Sequence, residues 1–300
     1  MIADRKDAAA NGKLVLKTVS NSFIKGIFKD FNLFVGISIL AIFYVFAFFP
    51  NVIAPFDPQE MNYDDELAPP SRSHLLGTDH YGRDIFSRIV FAARMDLAIS
   101  MGSVTVGFIF GVFLGLISGY FGGVLESLIM RVLDSLLAFP PLILAILVIA
   151  FLGSNSMNLI ISIGIIYIPF FARVTRAGVL GQRELEYVQA SKVSGARNFN
   201  IMIKSILPNV MGPILVQTSL YLGVTLLVVA GLSFLGLGVQ PPTPSWGTML
   251  RESQKYLNKI WFVLSPGACI FLVVLSFNLV GDGIRDLIDP SMKLSQQDRQ

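Results

Sequence analysis

Residues 135–172, SLLAFPPLILAILVIAFLGSNSMNLIISIGIIYIPFFA, run for 38 residues without one charged side chain. A single helical crossing of a bilayer takes about 20 residues, so this stretch is too long for one span. The polar group Gly153-Ser154-Asn155-Ser156 in its middle has the residue types of a turn, and two spans result, roughly 128–152 and 158–175. Pro140 and Pro141 are expected to kink the first of them, because proline removes backbone donors from the helical ladder.

The composition agrees with a membrane reading. Of the 300 residues, 53% are hydrophobic types and 14% are charged, and the mean hydropathy is +0.66. A soluble domain carries about 25% charged residues, and too few polar side chains are present here to cover a soluble core. Disorder needs low hydrophobicity and high charge. A disulfide scaffold needs more than the single Cys269, which reads as a small hydrophobe in a packed helix. The net charge of +3 does not point to nucleic acid, since lysine and arginine cluster in particular loops.

The remaining spans follow by the same count. Residues 1–30 form a polar N-terminal segment, 31–49 a first transmembrane helix, and 50–95 a proline-punctuated loop. That loop ends in an amphipathic helix, with Ile85, Phe86, Ile89, Val90 and Ala93 on one stripe, expected to lie in the membrane interface. A second span covers about 97–121, a fifth lies within 209–236, and a sixth runs from about 260 to 280. The core is thus 96–282, followed by a tail at 283–300. Trp246 and Trp261 flank the loop between the last two spans, where interfacial tryptophans are expected. With the N-terminus inside, inner segments hold fifteen basic residues and outer ones seven. The excess predicts six transmembrane helices in an all-α membrane protein, both termini cytoplasmic, and loop 173–208 cytoplasmic.

Within the second span, Gly107, Gly111, Gly115 and Gly119 recur at every fourth position, a small-residue face that lets another helix approach closely; a smooth wall for a substrate path is the other reading. Arg131 and Asp134 sit i,i+3 near the start of the third span, a spacing that suits an ion pair facing the interface or the bundle. The P-loop string and the His-Glu-x-x-His zinc motif are missing from the sequence, and both histidines lie in the outer loop. No catalytic set results, and no cofactor is called for. His74, Asp79 and His80 could share a metal in principle, but Gly77-Thr78-Asp79 and Gly82-Arg83-Asp84 read better as a turn and a helix start, so no metal site is expected.

The loop from Glu186 through Tyr187, Ala190, Ser191, Gly195 and Ala196 to Leu207 and Pro208 reads as a short helix to about Ser194, a break at Gly195, and a second short helix that stops at Pro208. So short a helix, barely stable alone, suits docking in a groove on another chain. The small Ala190, Ser191 and Ala196 would leave room for it.

This loop resembles the EAA-type coupling motif of ABC importer permeases. It keeps Ala190, Gly195, Leu207 and Pro208 and departs at Gln189, Ser191 and Ser205. His74-Leu-Leu-Gly-Thr-Asp79, Gly119-Tyr-Phe-Gly-Gly123, Met130-Arg-Val-Leu-Asp134, Leu232-Ser-Phe-Leu-Gly-Leu-Gly238, Pro241-Pro-Thr-Pro-Ser-Trp-Gly247 and Phe277-Asn-Leu-Val-Gly-Asp-Gly-Ile-Arg-Asp286 resemble the dipeptide/oligopeptide/nickel family, second (C-type) permease subunit. The resemblance implies a type I (MetI-like) bundle in a bacterial or archaeal plasma membrane. It also implies a heterodimer with a second permease subunit, two ABC ATPase subunits docked on the cytoplasmic loops of the two permeases (in this chain the motif from Glu186 to Pro208), and an extracytoplasmic substrate-binding protein. ATP hydrolysis would then belong to the partner subunits, the cargo would be a peptide or, alternatively, nickel or another small solute, and the spans would face lipid. Replacing Gly195 or Ala190 with a bulky residue is expected to abolish transport and coupling. A stand-alone secondary carrier is the rival class, but the two halves show no convincing inverted repeat.

Overall fold

A computed structural model describes residues 30–288. The basic N-terminal residues Arg5 to Lys29 and the tail residues Lys293 and Arg299, counted above for orientation, lie outside the described residues. Among the described residues the fold is all-helical, with one isolated bridge between Thr78 and Asp84. The principal helices are α1 (Phe31–Phe48), α2 (Ile85–Phe121), α3 (Gly123–Leu137), α4 (Pro141–Leu152), α5 (Ser156–Gln182), α6 (Glu186–Val193), α7 (Leu207–Phe234), α8 (Trp246–Ser253) and α9 (Ile260–Ile288). Five helices are long and apolar enough to cross a bilayer singly, and α3 and α4, bent by 90° at their junction, are long and apolar enough together to make a sixth if they act as one broken span. The bend falls where α3 gives out at Leu137 and Pro141 opens α4.

α2 differs from expectation. It is one helix of 37 residues, about 55 Å long at 1.5 Å per residue, and the segment expected to lie flat in the interface forms its first three turns. Both faces of that segment are covered, since Ile85, Ile89 and Val90 are buried and so are Ser87 and Arg88. The polar face is buried because chain outside the helix supplies its partners. Asp79 in the preceding loop lies 2.7 Å from Arg83 and 3.5 Å from Arg88, while Glu252 of α8 reaches the same two arginines at 3.0 and 3.2 Å. Two cations and two carboxylates offset each other, which makes the burial tolerable. Asp79, His80 and Glu252 come within ligand distance of one another, but both carboxylates are already occupied by guanidinium groups. His74 lies elsewhere, 3.0 Å from Asp84, and Asp84 caps α2 by accepting from the Ser87 backbone N–H at 2.8 Å.

α2 and α5 pack along most of their length through the glycine face. A Cβ on Gly107 would stand 2.6 Å from the Cβ of Tyr167, one on Gly111 2.5 Å from the Cβ of Phe171, one on Gly115 2.6 Å from the Ala172 carbonyl, and one on Gly119 2.8 Å from the Cβ of Val179. In lipid, where apolar contact between helices gains little over contact with acyl chains, this close backbone approach supplies the packing. α9 lies between α7 and α1: Gly281 meets Ser219, and Gly36 meets Leu279. Trp246, expected at the interface, is fully buried. Its backbone N–H donates to Asp96 of α2 at 2.8 Å, and its indole N–H donates to the Ile89 carbonyl at 3.2 Å.

Candidate functional site

α6 hangs at the end of the bundle where α2 finishes, the opposite end from the Arg83–Arg88 network. α5 carries it, since that helix continues to Gln182 rather than ending near 175. Arg173 and Arg176 are therefore helical, and only Arg183, Glu184 and Leu185 separate α5 from α6. So short a linker lets little motion dissipate.

Glu186 in the first turn and Lys192 in the last suit the helix dipole. The anchor is Val188, the one fully buried residue of α6, which joins the main core. Around it, the Tyr187 hydroxyl donates to Gln182 Oε1 at 2.6 Å, Gln189 Nε2 donates to the Arg183 carbonyl at 3.0 Å, and Asn209 Nδ2 of α7 donates to the Tyr187 oxygen at 3.2 Å. The far side of α6 touches the end of α2, where Lys192 sits over the Tyr120 ring at 5.5 Å and the Tyr120 hydroxyl donates to Asn198 at 2.9 Å. Arg183 donates to the Gly119 carbonyl at 2.9 Å. α6 is thus tied to α5, α7 and α2 together.

The C-terminus of α6 explains Gly195. The Gly195 N–H bonds the Lys192 carbonyl at 3.0 Å and the Ala196 N–H bonds the Ser191 carbonyl at 3.1 Å, the two bonds of a Schellman motif. That motif needs a left-handed residue, and Gly195 has φ of +77°. Nothing lies within 4 Å of where its Cβ would be, so backbone conformation and not space within the chain selects glycine. Ala190, Ala196, Val193 and Phe199 are exposed, the last two at 90% and 63%.

Pro208 does not stop the second helix. Residues 198–234 form one continuous helical run, because Ile201–Ile206 adopt a π-helical turn in which the Leu207 N–H reaches the Met202 carbonyl, five residues back. The widened turn shifts the ladder and accommodates a residue without a donor. Leu207 and Pro208 therefore open α7, one continuous body with the strand of residues leaving α6.

The expected pairing of Arg131 with Asp134 is not found. Asp134 accepts from Arg173 of α5 at 2.6 Å, and Arg131 makes no ion pair among the described residues. Glu126 similarly pairs with Arg176. Sequence reasoning missed these partners because it assigned Arg173 and Arg176 to a loop. Their i,i+3 spacing, continuing the apolar pattern to Val179, was the available signal.

A family model described as "binding-protein-dependent transport system inner membrane component" matches residues 111–294. The dipeptide transport system permease protein DppC of Alkalihalophilus pseudofirmus is 44% identical over 260 residues, 86% of each chain. The glutathione transport system permease protein GsiD of Pectobacterium atrosepticum is 41% identical over 249 residues, 82% of this chain and 83% of that one. A structure of the MetNI methionine ABC transporter in inward-facing conformations matches with a TM-score of 0.55 at 18% identity, over 67% of this chain and 96% of that one, which speaks to the fold alone. This chain belongs to the family of binding-protein-dependent transport system inner membrane components, multi-pass permeases of ABC transporters.

Proposed function

We propose that the chain is one of the two permease subunits of an ATP-driven importer of di- or oligopeptides, with α6 as the element gripped by the ATPase subunits. The observation that carries this reading is the construction of α6, an exposed eight-residue helix pinned through one buried valine and hydrogen-bonded to α5 and α7. A helix so held transmits displacement as a rigid lever. ATP-driven closure of the ATPases would move α6, α5 would follow through its short linker, and α2 would follow through the glycine contact. The exposed Val193 and Phe199 would fill apolar hollows on the ATPase surface, and ATP chemistry would take place there. The peptide cargo is supported by the dipeptide and glutathione permeases among the relatives. A binding protein would deliver it at the end carrying the Arg83–Arg88 network, with the N-terminus, α6 and the C-terminus in the cytoplasm.

The test is uptake of radiolabelled dialanine in cells lacking this gene and in cells with it restored, together with affinity purification of the tagged chain. Restored, ATP-dependent uptake with a co-purifying ATPase is expected. Uptake driven by an ion gradient, with no ATPase recovered, would make the chain a secondary carrier. Rapid labelling of Lys192→Cys from outside intact cells would reverse the proposed orientation.

A further inference from the structure

Between α3 and α5, near the end of the bundle that carries α6, lies a cleft of about 680 Å³ lined by Glu126, Ser127, Met130, Asp134, Arg173 and Arg176. Its size falls within the range of small-molecule sites, about 300–1,000 Å³. Its walls are two ion pairs of unequal character. Arg176 and Glu126 are mostly covered, at 34% and 20% exposure, whereas Arg173 and Asp134 are both 53% exposed. Arg131, one helical turn before Asp134 on the same helix, is exposed and makes no ion pair among the described residues, but it does not line the cleft. Two cations thus face two carboxylates in the lining, paired one to one.

Charges facing lipid cost about 2.5–3.5 kcal/mol each at the centre of a membrane helix on insertion scales, and less toward its ends. Those of the lining suit a water-filled cleft. A half-exposed ion pair is held by at most about 1 kcal/mol, so the Arg173–Asp134 pair can open at little cost to a ligand that brings the same two charges. Exchanging a protein carboxylate for a ligand carboxylate on Arg173, and a guanidinium for a ligand ammonium on Asp134, conserves the number of charge contacts. We propose that this cleft is a low-affinity transit site for a short zwitterionic peptide, with its carboxylate on Arg173 and its α-ammonium on Asp134. Weak binding is what a pathway needs, since the solute must leave as readily as it enters. The proposal rests on the reading of the chain as a peptide permease.

The experiment places a reporter cysteine at Ser127 (Ser127→Cys) in a Cys269→Ser background. The importer complex is purified through a tag on this chain and held in nanodiscs without nucleotide. Alkylation of the reporter by a maleimide is timed with and without millimolar dialanine. Dialanine at about twice its dissociation constant should slow labelling about threefold. N-acetyl-dialanine amide, which has neither charge, should not slow it, and Arg173→Gln should cancel the protection, read as the ratio of labelling rates with and without dialanine in that variant, with complex recovery unchanged. Equal protection by the blocked peptide, no protection at all, or protection that survives both Arg173→Gln and Asp134→Asn would overturn the site. Slow labelling that appears only with anionic lipid, indifferent to peptide, would assign the charges to a lipid headgroup and overturn it as well. If cells take up dialanine through this importer but the nanodisc protection is missing, the transit site fails and the permease reading stands. If cells show no such uptake, the peptide-importer reading itself fails.

Discussion

Replacement of Gly195 separates two reasons for having a glycine beside a docking helix. If glycine is there to admit the partner, any added side chain should harm coupling in proportion to its size. The structure gives a different reason: Gly195 has φ of +77°, and no heavy atom lies within 4 Å of its absent Cβ. An L-residue in this conformation costs about 1–2 kcal/mol, and asparagine is the side chain that tolerates it best. One or two kcal/mol is a factor of about 5–30 in a two-state ratio, here the ratio of α6 ended by its two Schellman bonds, with residues 196–200 leaving in the observed direction, to its frayed alternatives. Gly195→Ala should therefore lower dialanine uptake, by at most about 5–30-fold, with the amount of protein in the membrane unchanged, since an eight-residue helix does not hold the bundle together. Gly195→Val should be worse, because β-branched side chains are least tolerated at positive φ. Gly195→Asn, bulkier than alanine, should be better than alanine. The assay is initial uptake rate normalised to permease in the membrane fraction. Wild-type uptake in Gly195→Ala, or activity that falls in the order of side-chain volume with asparagine below alanine, would refute the conformational argument.

Other outcomes follow from the contacts described. Ala190→Trp adds bulk to an exposed position, so it should leave the melting temperature in detergent unchanged while abolishing recovery of the ATPase on purification; a co-purifying ATPase would remove Ala190 from the docking face. Gly111→Ala puts a Cβ 2.5 Å from that of Phe171, an overpacking expected to cost about 1–3 kcal/mol. Gly231→Ala, with nothing within 4 Å, should be neutral or stabilising, and equal melting temperatures for the two variants would contradict the packing. Glu252→Ala leaves Arg83 and Arg88 with Asp79 alone, and loss of one partner from a buried ionic group costs about 3–5 kcal/mol, read as reduced membrane abundance and an earlier melt. Burial pushes the His80 imidazole below its ordinary pKa, with Arg83 and Arg88 adding to the effect and Asp79 and Glu252 opposing it. The unfolded chain therefore takes up the proton first as pH falls through about 6.5, and stability should drop from there to the lower folded pKa and then level off. Between about pH 7.5 and pH 5, where histidine titrates, His80→Phe should lose less melting temperature than wild type; identical profiles would refute this.

Much of the helical layout was legible because hydrophobic run length responds to a single physical constraint, the thickness of the bilayer. The uncharged stretch 135–172, the turn at Gly153 and the prolines at 140–141 marked α4, α5 and the bend before them. The glycine repeat marked the face of α2 that meets α5. Helix ends were less legible. Arg173 and Arg176 look like loop residues by charge, but they continue α5 because Asp134 and Glu126 receive them. Pro208 looks like a stop, but a π turn upstream absorbs it. Arg88 looks like the wet side of an interfacial helix, but it is buried because Glu252, 164 residues away, comes to meet it.

Taken alone, the amino-acid order determined that apolar segments must leave water as helices, since each segment satisfies its own backbone hydrogen bonds only in that form inside a membrane. It also determined that the stretch around Gly195 must break one helix and begin another, because a left-handed residue ends the ladder locally. Only the tertiary structure decided which charge meets which. Ion-pair partners here are 39, 50 and more than 160 residues apart, and their pairing depends on how long helices lie against one another, which local propensity does not encode.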